Sequence, residues 1–283
     1  MNVTRLSPSI GAEISGIDLS KPVASDVFDE LRTLFDEHGL LCFRGQTLSA
    51  DRQVAVAANF GPVAPNGDGS LHKRVANVAT DRAMDFISES RLLMHSDLQF
   101  APMPLLGLSL YGEVTGEGVP ATLFANAGRA YDGLSPDIRA KIDGLMALQV
   151  ADLRADASLT YRPRLIDVVG RPCSEFPRTV HPVVYVHPRT GRRILFVGEH
   201  QTAHVIGLTE KESEALLAEL FAELYAPDNL YAHDWRQGDL LIWDNILLQH
   251  GRPETPANVT RVLRRVVMAT HSQTYLETAA MTG

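Results

Sequence analysis

Five strand-like runs, at residues 105–114, 180–186, 193–197, 238–243 and 261–270, lie along the chain with helices scattered between them in no βαβ rhythm. No glycine-rich phosphate loop opens a helix after any of them. A doubly wound nucleotide-binding sheet is therefore disfavoured. A mainly β fold with helical insertions, curled into a sandwich or barrel, accommodates this order, and 283 residues, 45% of them hydrophobic, suffice for a sizeable core.

The helices carry their own punctuation. Residues 24–38 bring Val27, Leu31, Leu34 and Phe35 to one face, with Ser25 as cap and Gly39 as stop, feeding a strand at 40–44. A second helix follows Ser49 and ends near Phe60-Gly61. Ser135-Pro136 supplies a cap and a first-turn proline for a third, with Ile138, Ile142 and Leu145 repeating behind it. Thr209 and Glu212 form a capping box ahead of the stripe Leu216, Leu217, Leu220, Phe221 and Leu224, which reads as core. Pro188-Arg189-Thr190-Gly191 joins two strands as a hairpin.

Charge and cysteine usage narrow the setting. With 34 carboxylates against 26 basic groups, a formal net charge of −8, the chain lacks the electrostatic footprint of a nucleic-acid binder. Cys42 lies in the apolar run Leu40-Leu41-Cys42-Phe43, far from Cys173, so no disulfide is expected. No basic leader with a long apolar stretch opens the chain, and no 18-residue apolar run occurs in it. The expectation is a cytoplasmic protein with neither membrane nor nucleic acid as partner.

The motifs of the commonest serine hydrolases, zinc proteases, nucleoside-triphosphatases and CxxC redox proteins are absent. What remains is Leu92-Leu93-Met94-His95-Ser96-Asp97, the only H-x-D in the chain. On an extended strand two such side chains project to one side, with Cα atoms about 6–7 Å apart. A distant second histidine would complete two imidazoles and a carboxylate on one face of a metal, and His250, after the run 240–245, is the candidate. Ten His and 19 Asp in 283 positions give 10 × 19/283, about 0.7 chance triplets of this kind, so the motif alone reads equally well as a half-buried histidine beside a surface aspartate.

Two arginines shift that balance. In Arg261-Val262-Leu263-Arg264-Arg265-Val266-Val267-Met268, period 2 puts Arg261, Leu263 and Arg265 on one face and Arg264 on the other. A buried guanidinium calls for a carboxylate, and Cα atoms about 13 Å apart imply two anions rather than one. Pairing with protein carboxylates, or reaching out to water, is the plainer alternative.

These residues give the chain its resemblance to the taurine dioxygenase and 2,4-dichlorophenoxyacetate dioxygenase family of Fe(II)- and 2-oxoglutarate-dependent oxygenases. It runs from Gly39-Leu40-Leu41-Cys42-Phe43-Arg44-Gly45-Gln46 and Asn59-Phe60-Gly61-Pro62 to the C-terminal arginines, and the segments 187–198 and 235–245 resemble the phenoxyacetate branch more closely. The resemblance implies a single domain over 1–283 with a double-stranded β-helix, a cupin-like jelly roll. It implies that His95, Asp97 and His250 ligate Fe(II), that Arg261 and Thr122 hold the distal carboxylate of 2-oxoglutarate, and that Arg265 meets the anionic end of the substrate. His200 and His204 are further candidates for the substrate pocket, although a locally bonded histidine reads the same way at both; His72 and Arg91 are more remote ones. Asp244-Asn245 is expected to shape the turn that aims His250.

Two departures bear on this. Relatives carry Gly-Gly-Asp-Thr where this chain has Val119-Pro120-Ala121-Thr122, and Trp before the first ligand where it has Met94. A different backbone path at Thr122 and a reshaped pocket are expected, and taurine itself is not the expected substrate. The activity implied is hydroxylation of an unactivated carbon in a small anionic organic acid, with dioxygen as cosubstrate and succinate and CO2 as products. An aryloxyalkanoate, cleaved at its ether after hydroxylation, fits. A sulfonate or amino-acid-derived acid, a non-catalytic binder of the same fold, and a zinc hydrolase built on the same three residues are the alternatives. Asp97 leaves no ligand position for halide, which favours hydroxylation over halogenation. A homo-oligomer is compatible with all of this.

Overall fold

The computed structural model describes residues 1–80, 85–154 and 157–272. Two sheets face each other. The larger has eight strands in the order Asn2–Arg5, Ala12–Ser15, Leu40–Phe43, Leu240–Asp244, Gly107–Thr115, Arg261–Met268, Lys73–Ala76 and Phe86–Ile87. The smaller has four, in the order Leu230–His233, Thr122–Asn126, Leu248–Arg252 and Leu92–His95.

Alternation along the large sheet builds two cores. Leu40, Cys42, Leu241, Trp243, Leu263 and Val267 point inward toward the small sheet, where the Phe124 ring meets Trp243 edge-on at 5.4 Å. Leu41, Phe43, Leu240, Ile242 and Val266 point outward and are covered by Phe28, Leu31 and Phe35 of the helix Ser25–His38 and by Val56 of the helix Ala50–Ala57. Strands buried on both faces read as continuous apolar runs, as 40–43 and 240–243 do. The helix Glu210–Leu224 adds Leu216, Leu217, Leu220 and Leu224 to the inner cluster.

The caps at Ser135 and Thr209 form as expected, and Ser49 caps the helix that follows it. Ser25 does not cap: Ala24 holds the N-cap position and Ser25 is already helical. Gly39 ends that helix at φ 71°, and a Cβ there would lie 2.9 Å from Leu247, so both backbone and neighbour demand glycine. The helix after Ser49 ends at Ala57, short of Phe60-Gly61.

The run 180–186 divides into Arg178–Pro182, paired with Met146–Val150, and Val184–Val186, paired with Arg193–Leu195 across the expected hairpin. Pro182 has no N–H for the ladder and ends the first of them. Three of the small sheet's four strands were not evident from sequence. Leu248–Arg252, for example, reads LQHGR, with every residue buried and no alternation to betray a strand.

Candidate active site

His95 closes the strand Leu92–His95 and stands in register with His250 of the neighbouring strand Leu248–Arg252. Gly251 permits that approach, since a Cβ there would lie 2.9 Å from the Leu92 carbonyl oxygen. The two imidazole centroids are 4.4 Å apart, and His250 is wedged by Trp243 at 5.0 Å. Asp97 is not on the strand with His95, as a simple extended H-x-D would have it. The chain turns after His95, and Leu98 adopts φ 54°, the only non-glycine positive φ among the described residues. The turn still brings the carboxylate back: Asp97 Oδ1 lies 3.0 Å from His95 Nε2 and 3.6 Å from His250 Nε2.

Hydrogen bonds orient the first ligand. His95 Nδ1 lies 2.8 Å from the Leu93 carbonyl oxygen, which can only accept, so Nδ1 donates to it and Nε2 is the ring nitrogen turned toward Asp97. Facing a carboxylate oxygen at 3.0 Å, that nitrogen can share with it either a proton or a metal ion. Burial, and then the neighbouring His95, push the His250 pKa down to about 3, which keeps it neutral. Burial opposes the charge on Asp97, but the Arg265 guanidinium and the two histidines overcome it and hold its carboxyl well below the usual range. Two imidazoles and one carboxylate, with ligand atoms within 4.8 Å of one another, form a donor set suited to Fe(II).

The large sheet supplies the anion-binding side. Arg261, 4% exposed, has no carboxylate partner among the described residues; its Nε is unbonded, and its one side-chain hydrogen bond runs 3.4 Å to Thr122 Oγ1. Burial, followed by repulsion from Arg252, pulls its pKa down to about 9, so the guanidinium is charged at neutral pH and short of a counter-ion. A buried cation in this condition fits the far carboxylate of a diacid. Thr122 opens its strand despite the altered preceding residues, and Trp235 Nε1 donates to its hydroxyl oxygen over 2.9 Å. Arg265 projects from the same face as Arg261 and donates to Asp97 Oδ2.

A cavity of about 260 Å³ joins these groups; His95, Asp97, His250, Thr122, Arg261 and Arg265 all line it, with Leu92, Leu98, Phe100 and Leu159 among its apolar walls. His200 lines it as well, its ring 5.6 Å from His95, and burial brings its pKa to about 3. His204 is buried elsewhere, on the strand Thr202–Val205, and His72 and the exposed Arg91 are likewise outside the lining. Sequence reasoning missed Lys73, Gln201 and Arg252, which do line it. The Gly-Arg after His250 was the one available signal among them.

Asp244 does shape the turn before His250: its Oδ1 accepts from Ile246 N and Leu247 N, both at 3.0 Å, while Oδ2 takes His187 Nε2 at 2.9 Å. Asn245 reaches the other way, to the backbone of Asp97.

Residues 2–267 match the family described as taurine catabolism dioxygenase TauD, TfdA family. The chain belongs to that family. It is 31% identical over 282 residues to the alpha-ketoglutarate-dependent 2,4-dichlorophenoxyacetate dioxygenase of Cupriavidus pinatubonensis, covering 92% of this chain and 94% of that one. To the (S)-phenoxypropionate/alpha-ketoglutarate-dioxygenase of Sphingobium herbicidovorans it is 31% identical over 271 residues, with 92% and 91% covered. The crystal structure of AAD-2 with Mn(II) and N-oxalylglycine superposes with a TM-score of 0.76 at 25% identity, covering 95% of this chain and 96% of that one. The TauD/TfdA family member described here is thus an alpha-ketoglutarate (2-oxoglutarate)-dependent dioxygenase, an oxidoreductase that uses Fe(II), 2-oxoglutarate and dioxygen. No described helix is long and apolar enough to cross a membrane.

Proposed function

We propose that the two facing sheets form a double-stranded β-helix, the jelly roll of cupin-like folds, and that its cavity hydroxylates an unactivated carbon of a small anionic organic acid. His95, Asp97 and His250 hold Fe(II), and Arg261 with Thr122 binds the distal carboxylate of 2-oxoglutarate. The observation that carries this reading is the buried Arg261, without a carboxylate partner among the described residues and lining the same cavity as three convergent side chains that could hold a metal. When bound, the ferrous centre with 2-oxoglutarate and dioxygen supplies the oxidation, releasing succinate and CO2.

The chain's own residues do the rest. Trp235 is a pure donor and occupies one lone pair of Thr122 Oγ1, as Arg261 does more distantly. The hydroxyl proton of Thr122 is left to donate to an incoming carboxylate. A guanidinium carries five N–H donors, so Arg265 can serve Asp97 and a substrate anion together. His200, half-buried and neutral, stands over the same space, and Leu92, Leu98 and Phe100 give that space apolar walls. An aryloxyalkanoate suits an anion site beside apolar walls. When its hydroxylated carbon bears an ether oxygen, the product collapses to a carbonyl compound and a phenol.

The test is succinate formation across aryloxy acids, sulfonates and amino-acid-derived acids, with Fe(II) and 2-oxoglutarate, in air and under argon. Oxygen-dependent succinate coupled to loss of an aryloxy acid is expected. No succinate with any acid, or turnover under argon, defeats the reading.

A further inference from the structure

Asp97 lies two residues beyond the last ladder residue of its strand, in a turn that includes Leu98 at φ 54°. A ligand in such a place needs something other than sheet pairing to hold it. Both of its backbone groups go to one side chain 148 positions away: Asp97 N donates to Asn245 Oδ1 at 2.9 Å, and Asn245 Nδ2 donates to the Asp97 carbonyl oxygen at 3.1 Å. The amide thus acts as a missing strand neighbour, offering one acceptor and one donor as a peptide unit would.

Asn245 is itself fixed. It is fully buried, its Nδ2 also donates to Leu105 O at 3.3 Å, and its own N–H donates to Leu106 O at 3.2 Å. It does not line the cavity, so it has no path to substrate. It sits five positions before His250, in the turn that Asp244 closes ahead of the strand Leu248–Arg252.

We propose that Asn245 is a positioning residue for the metal centre. Through its amide, the turn that launches His250 also fixes the Asp97 carboxylate, so the two ligands are set against each other before any metal arrives. The proposal rests on the reading of His95, Asp97 and His250 as the metal ligands, and the experiment separates the two.

Mn(II) affinity of the full-length protein is measured by calorimetry for wild type, Asp97→Ala, Asn245→Ala and the double variant, with thermal melts of each apo form. Asn245→Ser replaces Asn245→Ala if the latter does not fold. Asn245→Ala is expected to weaken Mn(II) about 10–100-fold, the usual range for loss of an outer-shell partner, and to add nothing in the Asp97→Ala background. A wild-type affinity in the Asn245 variant, or an equal loss in both backgrounds, overturns the positioning role. Unchanged affinity in Asp97→Ala overturns the triad and the proposal with it. Amide exchange in unsubstituted apo protein is a second reading: Asp97 N–H is expected to be protected like its strand neighbours, and rapid exchange there defeats the claim that the site is set in advance.

Discussion

The two faces of the strand Arg261–Met268 carry buried guanidinium groups with opposite fates. On the outer face Arg264, 8% exposed, donates to Gln53 Oε1 at 2.8 Å, Glu113 Oε1 at 2.7 Å and the Leu48 carbonyl at 2.7 Å, and lies over the Tyr111 ring at 4.7 Å. On the inner face Arg261, 4% exposed, has among the described residues a single long side-chain bond, to Thr122, and an idle Nε. Residue type, strand and burial are the same, so none of these distinguishes a structural arginine from a functional one. The difference lies in who supplies the acceptors. The fold provides them for Arg264; for Arg261 the proposed role leaves them to bound 2-oxoglutarate.

Four results would break or sharpen that contrast. The largest effect is expected from His250→Ala, which removes the centre that the inner face serves: iron-dependent succinate formation should fall to background while the protein stays folded, and retained turnover would mean that the inner face serves something else. Next comes the pair of leucine variants. Arg261→Leu is expected to raise the KM for 2-oxoglutarate about 100-fold, from the loss of a charge-assisted bidentate pair, with little loss of thermal stability because an under-paired buried charge goes with it. Arg264→Leu should do the reverse, costing about 1–3 kcal/mol through the unsatisfied Gln53 Oε1 and Leu48 carbonyl, Arg74 still pairing Glu113, and leaving that KM alone; denaturant titration beside steady-state kinetics reads both, and matching phenotypes would erase the distinction.

A smaller change is expected for Arg265→Leu, which should impair oxidation of the organic acid more than succinate release, measured as the ratio of the two products. Equal loss of both would place Arg265 with Asp97 and the metal rather than with substrate. Smallest is Trp235→Phe. Losing one neutral hydrogen bond of about 1 kcal/mol should raise the KM for 2-oxoglutarate roughly fivefold with kcat unchanged, and a fall in kcat alone would count against the proposed orientation of Thr122.

How much of this could be read from the sequence follows from how local each signal is. Period 2 alone separated Arg261 and Arg265 from Arg264, because the strand is long and regular enough for alternation to hold across it. The H-x-D motif gave two candidate ligands but the wrong reason for their meeting: Asp97 returns to His95 through a turn, and the partner that holds that turn is 148 positions away, where no spacing rule applies. Most of the small sheet stayed hidden because strands of four or five residues, such as the almost wholly buried Thr122–Asn126 and Leu248–Arg252, carry too little alternation to detect. His200 and His204 looked alike in sequence. One lines the cavity and the other does not, a difference decided where the chain enters the strand Thr202–Val205.

Cys42 shares the inner core beneath this chemistry. Burial pushes its thiol up to about 12, so at neutral pH it stays protonated rather than forming the thiolate that peroxide attacks. Uncoupled turnover at a ferrous centre sheds reactive oxygen, and a soft nucleophile in the same fold would ordinarily be an early casualty. Here the sulfur stays protonated and enclosed, and sulfenic acid formation is expected to be slow at this position even when the enzyme runs without substrate.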